Sequence, residues 1–417
     1  MDRARILALA MLVFGPASLP AQQPARTGFA ADRLARIDRF MQQYVDSGQI
    51  AGAVGLVLRN GKVVYRHAVG WSDLESRRPM TEGALFRIAS QTKAITTAVI
   101  LSLLEEGKLS LWDPVSRYIP AFANTTVMTR SDTGRVIKPA GRPITISQLL
   151  THTSGISYGT DSLLAPLYAA KGLGPSAGWG WYTADKDEPI CTTIERLGTL
   201  PFVAQPGERW VYGYNTDILG CVAERASGMP LDKLVRTRIT GPLKMRDTYF
   251  FVPPAAAQRL VTVYASDSGR IHRAPDGPRG QGNYVTGPRR SFSGGAGLVS
   301  TAGDYARFLQ MLLNGGELDG VRILAPHTVD LMTHNQSGRL FDSTGANGFG
   351  YGFGIAERYG ANGMGSVGTF GWGGAYGSAY DVDPVEHLVI VFMINQLPNR
   401  SEIAAKFPTL VYQALVR

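Results

Sequence analysis

From about residue 30 onward, apolar stretches with helical spacing alternate with short apolar runs of strand length. Asp32 precedes Leu34, Ile37, Met41, Tyr44 and Val45, whose three- and four-residue intervals draw one apolar stripe along a helix that Asp32 is placed to cap. Residues 51–59 and 62–69 follow as two strand-like runs joined at Asn60-Gly61. Both positions of a two-residue hairpin turn need positive φ, which Asn and Gly tolerate best. Residues 89–105 read as a strongly apolar helix starting near Ser90 and ending toward Gly107.

The texture changes from residue 108 to about 285, where helical patches are short, Gly and Pro frequent and connections long. Residues 218–226 are the best helix there. Beyond it, 292–301 are rich in glycine, and 302–313 predict a helix stopped by Asn314-Gly315-Gly316. Residues 375–382 and 387–394 pair around an Asp383-Pro384 turn, and a last helix begins near Ser401. Strands at both ends with helices between them predict an α+β fold, an α/β sandwich. Its antiparallel sheet is built from both chain ends and flanked by helices (about 28–107 and 286–417), with a mainly helical subdomain inserted at about 108–285. Length alone would also allow two or three separate units.

With 44% hydrophobic and 18% charged residues among 417, the chain has the composition of an ordinary folded protein. Its first residues read as a removable leader. Arg3 and Arg5 precede an apolar run over 6–14, Gly15-Pro16 breaks it, and small residues over 17–21 offer cleavage after Ala21. The run is well short of the about 20 residues that span a bilayer, so export to the periplasm or medium without a membrane anchor is expected. An oxidising compartment would permit a disulfide between Cys191 and Cys221; two separately buried thiols are equally compatible with the sequence. The net charge of +9 comes mostly from scattered arginines with no basic block, which argues against a nucleic-acid partner.

The chemistry centres on Ser90-Gln91-Thr92-Lys93. A serine hydroxyl needs a base beside it to act as a nucleophile, and residues three apart share a helix face. A helix that begins at the serine also brings positive potential to where an oxyanion would form. Gly174-Pro175-Ser176-Ala177-Gly178 matches the nucleophile-elbow pattern, but no strand precedes it and no helix follows. The histidines at 67, 272, 327, 334 and 387 lack metal-ligand spacing, so neither metal nor cofactor is expected.

Further stretches follow in a telling order: 149–155 (Leu-Leu-Thr-His-Thr-Ser-Gly), 206–220 around Tyr212, 292–301, and Gly371-Trp372-Gly373-Gly374-Ala375-Tyr376-Gly377. Together with Ser-x-x-Lys they resemble the penicillin-recognising, serine β-lactamase-like superfamily, in its class C β-lactamase-related branch, and most nearly the family VIII carboxylesterases. The resemblance implies that Ser90 attacks an acyl carbon while Lys93 and Tyr212 share its proton. It also implies an oxyanion hole from the backbone N–H groups of Ser90 and Ala375, with Trp372, Gly373, Gly374 and Tyr214 along the substrate site. It makes His152 a packed, structural residue and Asp217 a structural hydrogen-bonder, and it suggests that Trp179 and Trp181 line the acyl pocket.

Two departures from the β-lactamase pattern bear on substrate. Tyr214 stands where that motif has Asn, with Asn215 one step later, and Trp372-Gly373-Gly374 replaces Lys-Thr-Gly. Losing an amide-binding group and a cation favours a neutral small-molecule ester over a charged lactam or peptide. β-Lactamase or D-amino-acid peptidase (amidase) activity is the alternative within the fold, and a non-catalytic binder of cell-wall ligands the alternative outside catalysis. The oligomeric state is left open by the sequence.

Overall fold

Asn60 and Gly61 do take positive φ, 50° and 73°, and the two runs they join pair as neighbouring antiparallel strands of the main sheet, toward one of its edges. The computed structural model describes residues 28–131, 134–175, 184–267 and 269–416; the expected leader at 1–21 lies outside them. Among the described residues the main sheet has eight strands: β1 (Gly52–Arg59), β2 (Lys62–Asp73), β3 (Arg78–Pro79), β4 (Asn347–Phe349), β5 (Gly354–Ala356), β6 (Phe370–Gly373), β7 (Ala379–Asp383) and β8 (Leu388–Met393). Their order is β4-β5-β6-β7-β8-β1-β2-β3, antiparallel throughout. The pairing of β1 with β8, Val57 opposite Ile390, joins the two ends of the chain as expected.

The helices that position the site and cover the sheet include α1 (Ala31–Asp46), α2 (Thr92–Glu105), α3 (Asn215–Ser227), α4 (Ala302–Leu313) and α5 (Ile403–Tyr412). Ala53, Val57, Ile390 and Phe392 project to one side of the sheet and pack with α1 and α5. Val54, Leu56, Val389 and Val391 project to the other, into the larger core that contains α2 and α4. Because both faces are covered, the central strands read as continuous apolar runs rather than as alternating ones. Burial of each such side chain contributes about 1.5–3 kcal/mol.

Three local expectations are refined. Helix α1 begins at Ala31, so Asp32 lies in its first turn, where its charge favours the helix dipole, and Ala30 occupies the cap position. The inserted region is mainly helical but not only helical: besides α3 and shorter helices it carries a three-stranded sheet (Thr126–Ser131, Gly134–Pro139, Pro201–Phe202) and the hairpin Tyr264–Asp267 with Arg270–Arg273. The run expected as strand from 375 starts only at Ala379. Residues 374–378 form the β6–β7 turn instead, closed by Gly374 N–H to Ser378 O and Gly377 N–H to Gly374 O.

Cys191, on the helix Ile190–Gly198, is disulfide-bonded to Cys221 on α3. Among the described residues, no helix is long and apolar enough to cross a membrane.

Candidate active site

Ser90 is presented by a strained turn. Ala89, immediately before it, has φ +44°, a left-handed conformation that costs an L-residue about 1–2 kcal/mol. The Ile88 N–H is tied to Leu298 O at 3.1 Å, and a 3-10 turn over Ala89–Gln91 leads into α2. The α-helix proper therefore begins two residues after the serine, at Thr92, while Ser90 and Lys93 still share one side. Ser90 is 9% and Lys93 2% exposed, so the ammonium depends on protein groups for its hydrogen bonds. Lys93 Nζ donates to Ser90 Oγ (3.2 Å), Tyr158 Oη (3.0 Å) and Gly295 O (2.8 Å). Three donors meet three neutral oxygens, which is how a buried ammonium is kept without a carboxylate.

The Gly295 carbonyl is itself held in place. Asp217, on α3 and fully buried, accepts the Gly295 N–H at 3.2 Å and the Ser293 hydroxyl at 2.5 Å. From α2, Thr96 donates to Gly294 O at 2.8 Å, and Thr92 Oγ1 accepts the Leu298 N–H at 3.1 Å. The glycine-rich stretch is thus gripped by two helices, with its middle carbonyl turned to Lys93. Asp217 is a structural hydrogen-bonder here.

Tyr212 stands beside this group. Lys93 Nζ lies 4.7 Å from the centre of its ring, and its hydroxyl accepts the Trp372 indole N–H at 3.2 Å. Around it Trp210 stacks on Tyr212 (5.6 Å, 16°), and Phe341, Phe349 and Trp372 complete an aromatic wall. His152 packs against the Tyr212 ring at 4.7 Å, and its Nδ1 meets Asn215 Nδ2 at 2.8 Å. Burial, then the charge of Lys93, holds the imidazole pKa well below its ordinary value, so His152 is neutral.

Tyr214 needs correction as a substrate-site residue. It is fully buried, its hydroxyl accepts the Gly174 N–H at 2.7 Å, and its ring packs on Tyr158. The following residue, Asn215, is also buried and engaged with His152 and Ser154. The cause is helical geometry: α3 starts at Asn215, which turns positions 214 and 215 into the core behind Tyr212.

Trp372 and Gly373 end β6; Gly374 and Ala375 open the β6–β7 turn. Gly374 lies against the turn that carries Ser90 so closely that a Cβ there would sit 2.5 Å from Ile88 O. Ala375 packs with Ala89 and Tyr376 in a small apolar cluster. Among the described residues, neither the Ser90 nor the Ala375 backbone N–H has a hydrogen-bond partner. Trp179, Trp181 and Ser176 of the elbow-like pentapeptide lie outside the described residues. Among those described, no group of three or more His, Cys, Asp or Glu side chains is placed to hold a metal ion.

The structure thus gathers Ser90, Lys93, Tyr212, Trp372, Gly374 and Ala375, and adds two Lys93 partners that sequence reasoning missed, Tyr158 and the Gly295 carbonyl. Tyr158 stands three residues beyond the Thr151–Gly155 motif, and Gly295 lies inside the glycine-rich motif, so both were within reach of the pattern. A family model described as Beta-lactamase matches residues 37–412. The chain belongs to the beta-lactamase family. Members similar to it include Protein Rv1367c of Mycobacterium tuberculosis, 36% identical over 388 residues that cover 88% of this chain and 90% of that one. Esterase EstB of Burkholderia gladioli is 34% identical over 382 residues, covering 88% and 91%. Among solved structures, EstCE1, described as a hydrolase with promiscuous acyltransferase activity, superposes with a TM-score of 0.78 at 27% identity, covering 93% of this chain and 99% of that one. The large antiparallel sheet with its flanking helices is the fold of this beta-lactamase family member and of its structural neighbours.

Proposed function

We propose that the protein hydrolyses neutral carboxylic esters through a covalent acyl-Ser90 intermediate. The observation that carries this reading is the contact between Lys93 Nζ and Ser90 Oγ, 3.2 Å apart in a buried setting, with two phenols against the same ammonium. In the reacting form one proton of the Lys93–tyrosine group has passed to solvent, so that the group takes up the serine proton as Ser90 Oγ attacks the ester carbonyl carbon. The oxyanion is received by the N–H groups of Ser90 and Ala375. Collapse expels the alcohol, which takes the proton back, and water then repeats the sequence on the acyl-enzyme to release the acid and restore Ser90.

The ester preference is supported by what occupies the place of the Lys-Thr-Gly lysine. Trp372 turns its N–H to the Tyr212 hydroxyl, so this position supplies a donor to a phenol rather than a charge to a substrate carboxylate. The esterase name of the Burkholderia relative agrees. A chromogenic short-chain ester should be turned over faster than a chromogenic cephalosporin, and a ratio favouring the cephalosporin would make the protein a β-lactamase instead. A fluorophosphonate should leave an adduct on Ser90; an unlabelled protein would mean a non-catalytic binder.

Which phenol shares the Lys93 proton is a second question, because the hydroxyl hydrogen-bonded to Nζ is that of Tyr158, whereas Tyr212 offers its ring. The Tyr212 hydroxyl, which accepts from Trp372, keeps its own proton free for the leaving group. Tyr212→Phe should therefore lower kcat by roughly 10²–10⁴-fold, and Tyr158→Phe by less. The reverse order would transfer the role to Tyr158. In this reading the protein acts outside the cytoplasm, supported by the leader at 1–21 and by a Cys191–Cys221 bridge of the kind that persists in oxidising compartments. Recovery of a mature chain beginning near Gln22 from the periplasm or medium tests it.

A further inference from the structure

A second concavity lies apart from Ser90, with a volume of about 670 Å³, within the range of small-molecule sites. None of Ser90, Lys93, Tyr212 or Trp372 lines it. Its rim carries Arg236, Lys244, Arg246 and Arg289, against a single carboxylate, Asp232. All four cations are exposed, and among the described residues none of them forms an ion pair. Elsewhere on this surface arginines do pair with nearby carboxylates, Arg259 with Asp247 and Arg307 with Asp319 among them. Arg289 is also braced: its Nη2 donates to Val252 O (3.3 Å) and Val285 O (3.1 Å), which fixes the guanidinium at the rim.

The floor is of opposite character. Phe250, Phe251 and Phe292 pack edge to face, with ring centres 5.4 and 6.2 Å apart, and Phe251 and Phe292 remain partly open. A concave site with like charges gathered at its mouth concentrates ions of the opposite sign, while half-open aromatic rings below reward an apolar body. We propose that this cavity binds a small amphipathic anion: a carboxylate or sulfonate at the cationic rim, with an aryl or short alkyl body on the phenylalanine floor.

The site is independent of the ester reading, although its floor is the reverse side of the turn that serves Lys93. Phe292 and Leu298 bracket residues 293–297, and Phe250 packs onto Gly297.

The test uses 8-anilino-1-naphthalenesulfonate as a fluorescent probe on the whole protein, with Ser90 first blocked by a phosphonate so that the active-site cleft does not contribute. Saturable one-site binding is expected, weakened at least tenfold by Arg236→Glu with Arg246→Glu, and weakened also by salt. Uncharged N-phenyl-1-naphthylamine should bind at least tenfold more weakly. Both arginines are exposed with free side chains, and unchanged turnover of a neutral ester by the unblocked double variant reports an intact fold. Equal affinity for the uncharged probe, or indifference to the charge reversals, would overturn the proposal. So would sedimentation with phosphatidylglycerol vesicles that the reversals abolish while the soluble probe does not respond to them, since the patch would then read a membrane surface.

Discussion

Asp217 accepts the backbone N–H of Gly295, 78 residues further along the chain, and the carbonyl of that same glycine accepts Lys93. A carboxylate that touches no reacting atom thereby sets the position of the cation beside the nucleophile. Asp217→Ala would leave the Ser293 hydroxyl and the Gly295 N–H buried without their acceptor. The expected cost is about 2–4 kcal/mol in unfolding free energy, with kcat reduced tenfold or more and KM little changed. Denaturant unfolding and steady-state kinetics measure both. A stable variant with unaltered kcat would show that the turn holds itself.

Gly374 sets the distance between the turn that carries Ser90 and the turn that carries Ala375. A methyl group at 374 meets Ile88 O at 2.5 Å, and that atom is backbone and cannot swing aside. Gly374→Ala should push the Ala375 N–H away from Ser90 and lower kcat by about 10–10³-fold, the range expected for a misplaced oxyanion donor. Labelling of Ser90 by a fluorophosphonate should slow in parallel. If kcat stays within twofold of the wild type, the oxyanion hole lies elsewhere.

Asp381, on β7, has its carboxyl pKa pushed up to about 6 by burial and then by the charge of Asp383. Unfolded, an aspartate titrates near ~3.9, so between the two values the folded protein binds the extra proton. This group's contribution is therefore greatest below about pH 4 and is lost as pH rises through 6. The loss amounts to about 1–3 kcal/mol. Asp381→Asn should raise Tm at pH 7.5 and leave it nearly unchanged at pH 4. An equal gain at both pH values would remove the titration from the explanation.

The Cys191–Cys221 bridge closes a loop with a sequence separation of 30. Loop-closure entropy for that length corresponds to about 3–4 kcal/mol. Reduction, or Cys191→Ser with Cys221→Ser, should lower thermal stability accordingly, whereas turnover at 25 °C should persist because the active-site contacts do not run through the sulfurs. Calorimetry with and without reductant decides this, and identical Tm values would mean that the bridge is not formed in solution.

What could be read from the chain was governed by local geometry. Ser90 and Lys93 are three residues apart at a helix start, so their meeting needs only the helix. Asn60-Gly61 announces its own turn, and the covered strands 52–59 and 388–393 betray themselves by unbroken apolar runs. Resemblance brought in Tyr212 and the Trp372–Ala375 stretch, but not the direction in which each side chain points.

Direction was decided by packing. Tyr214 looks like a site residue beside Tyr212, yet it and Asn215 are carried inward where α3 begins. Tyr158 and the Gly295 carbonyl reach Lys93 from 65 and 202 residues away. No period or spacing in the chain records such contacts, because they exist only once α2, α3 and the glycine-rich turn have closed on one another and the buried ammonium has taken the oxygens within its reach.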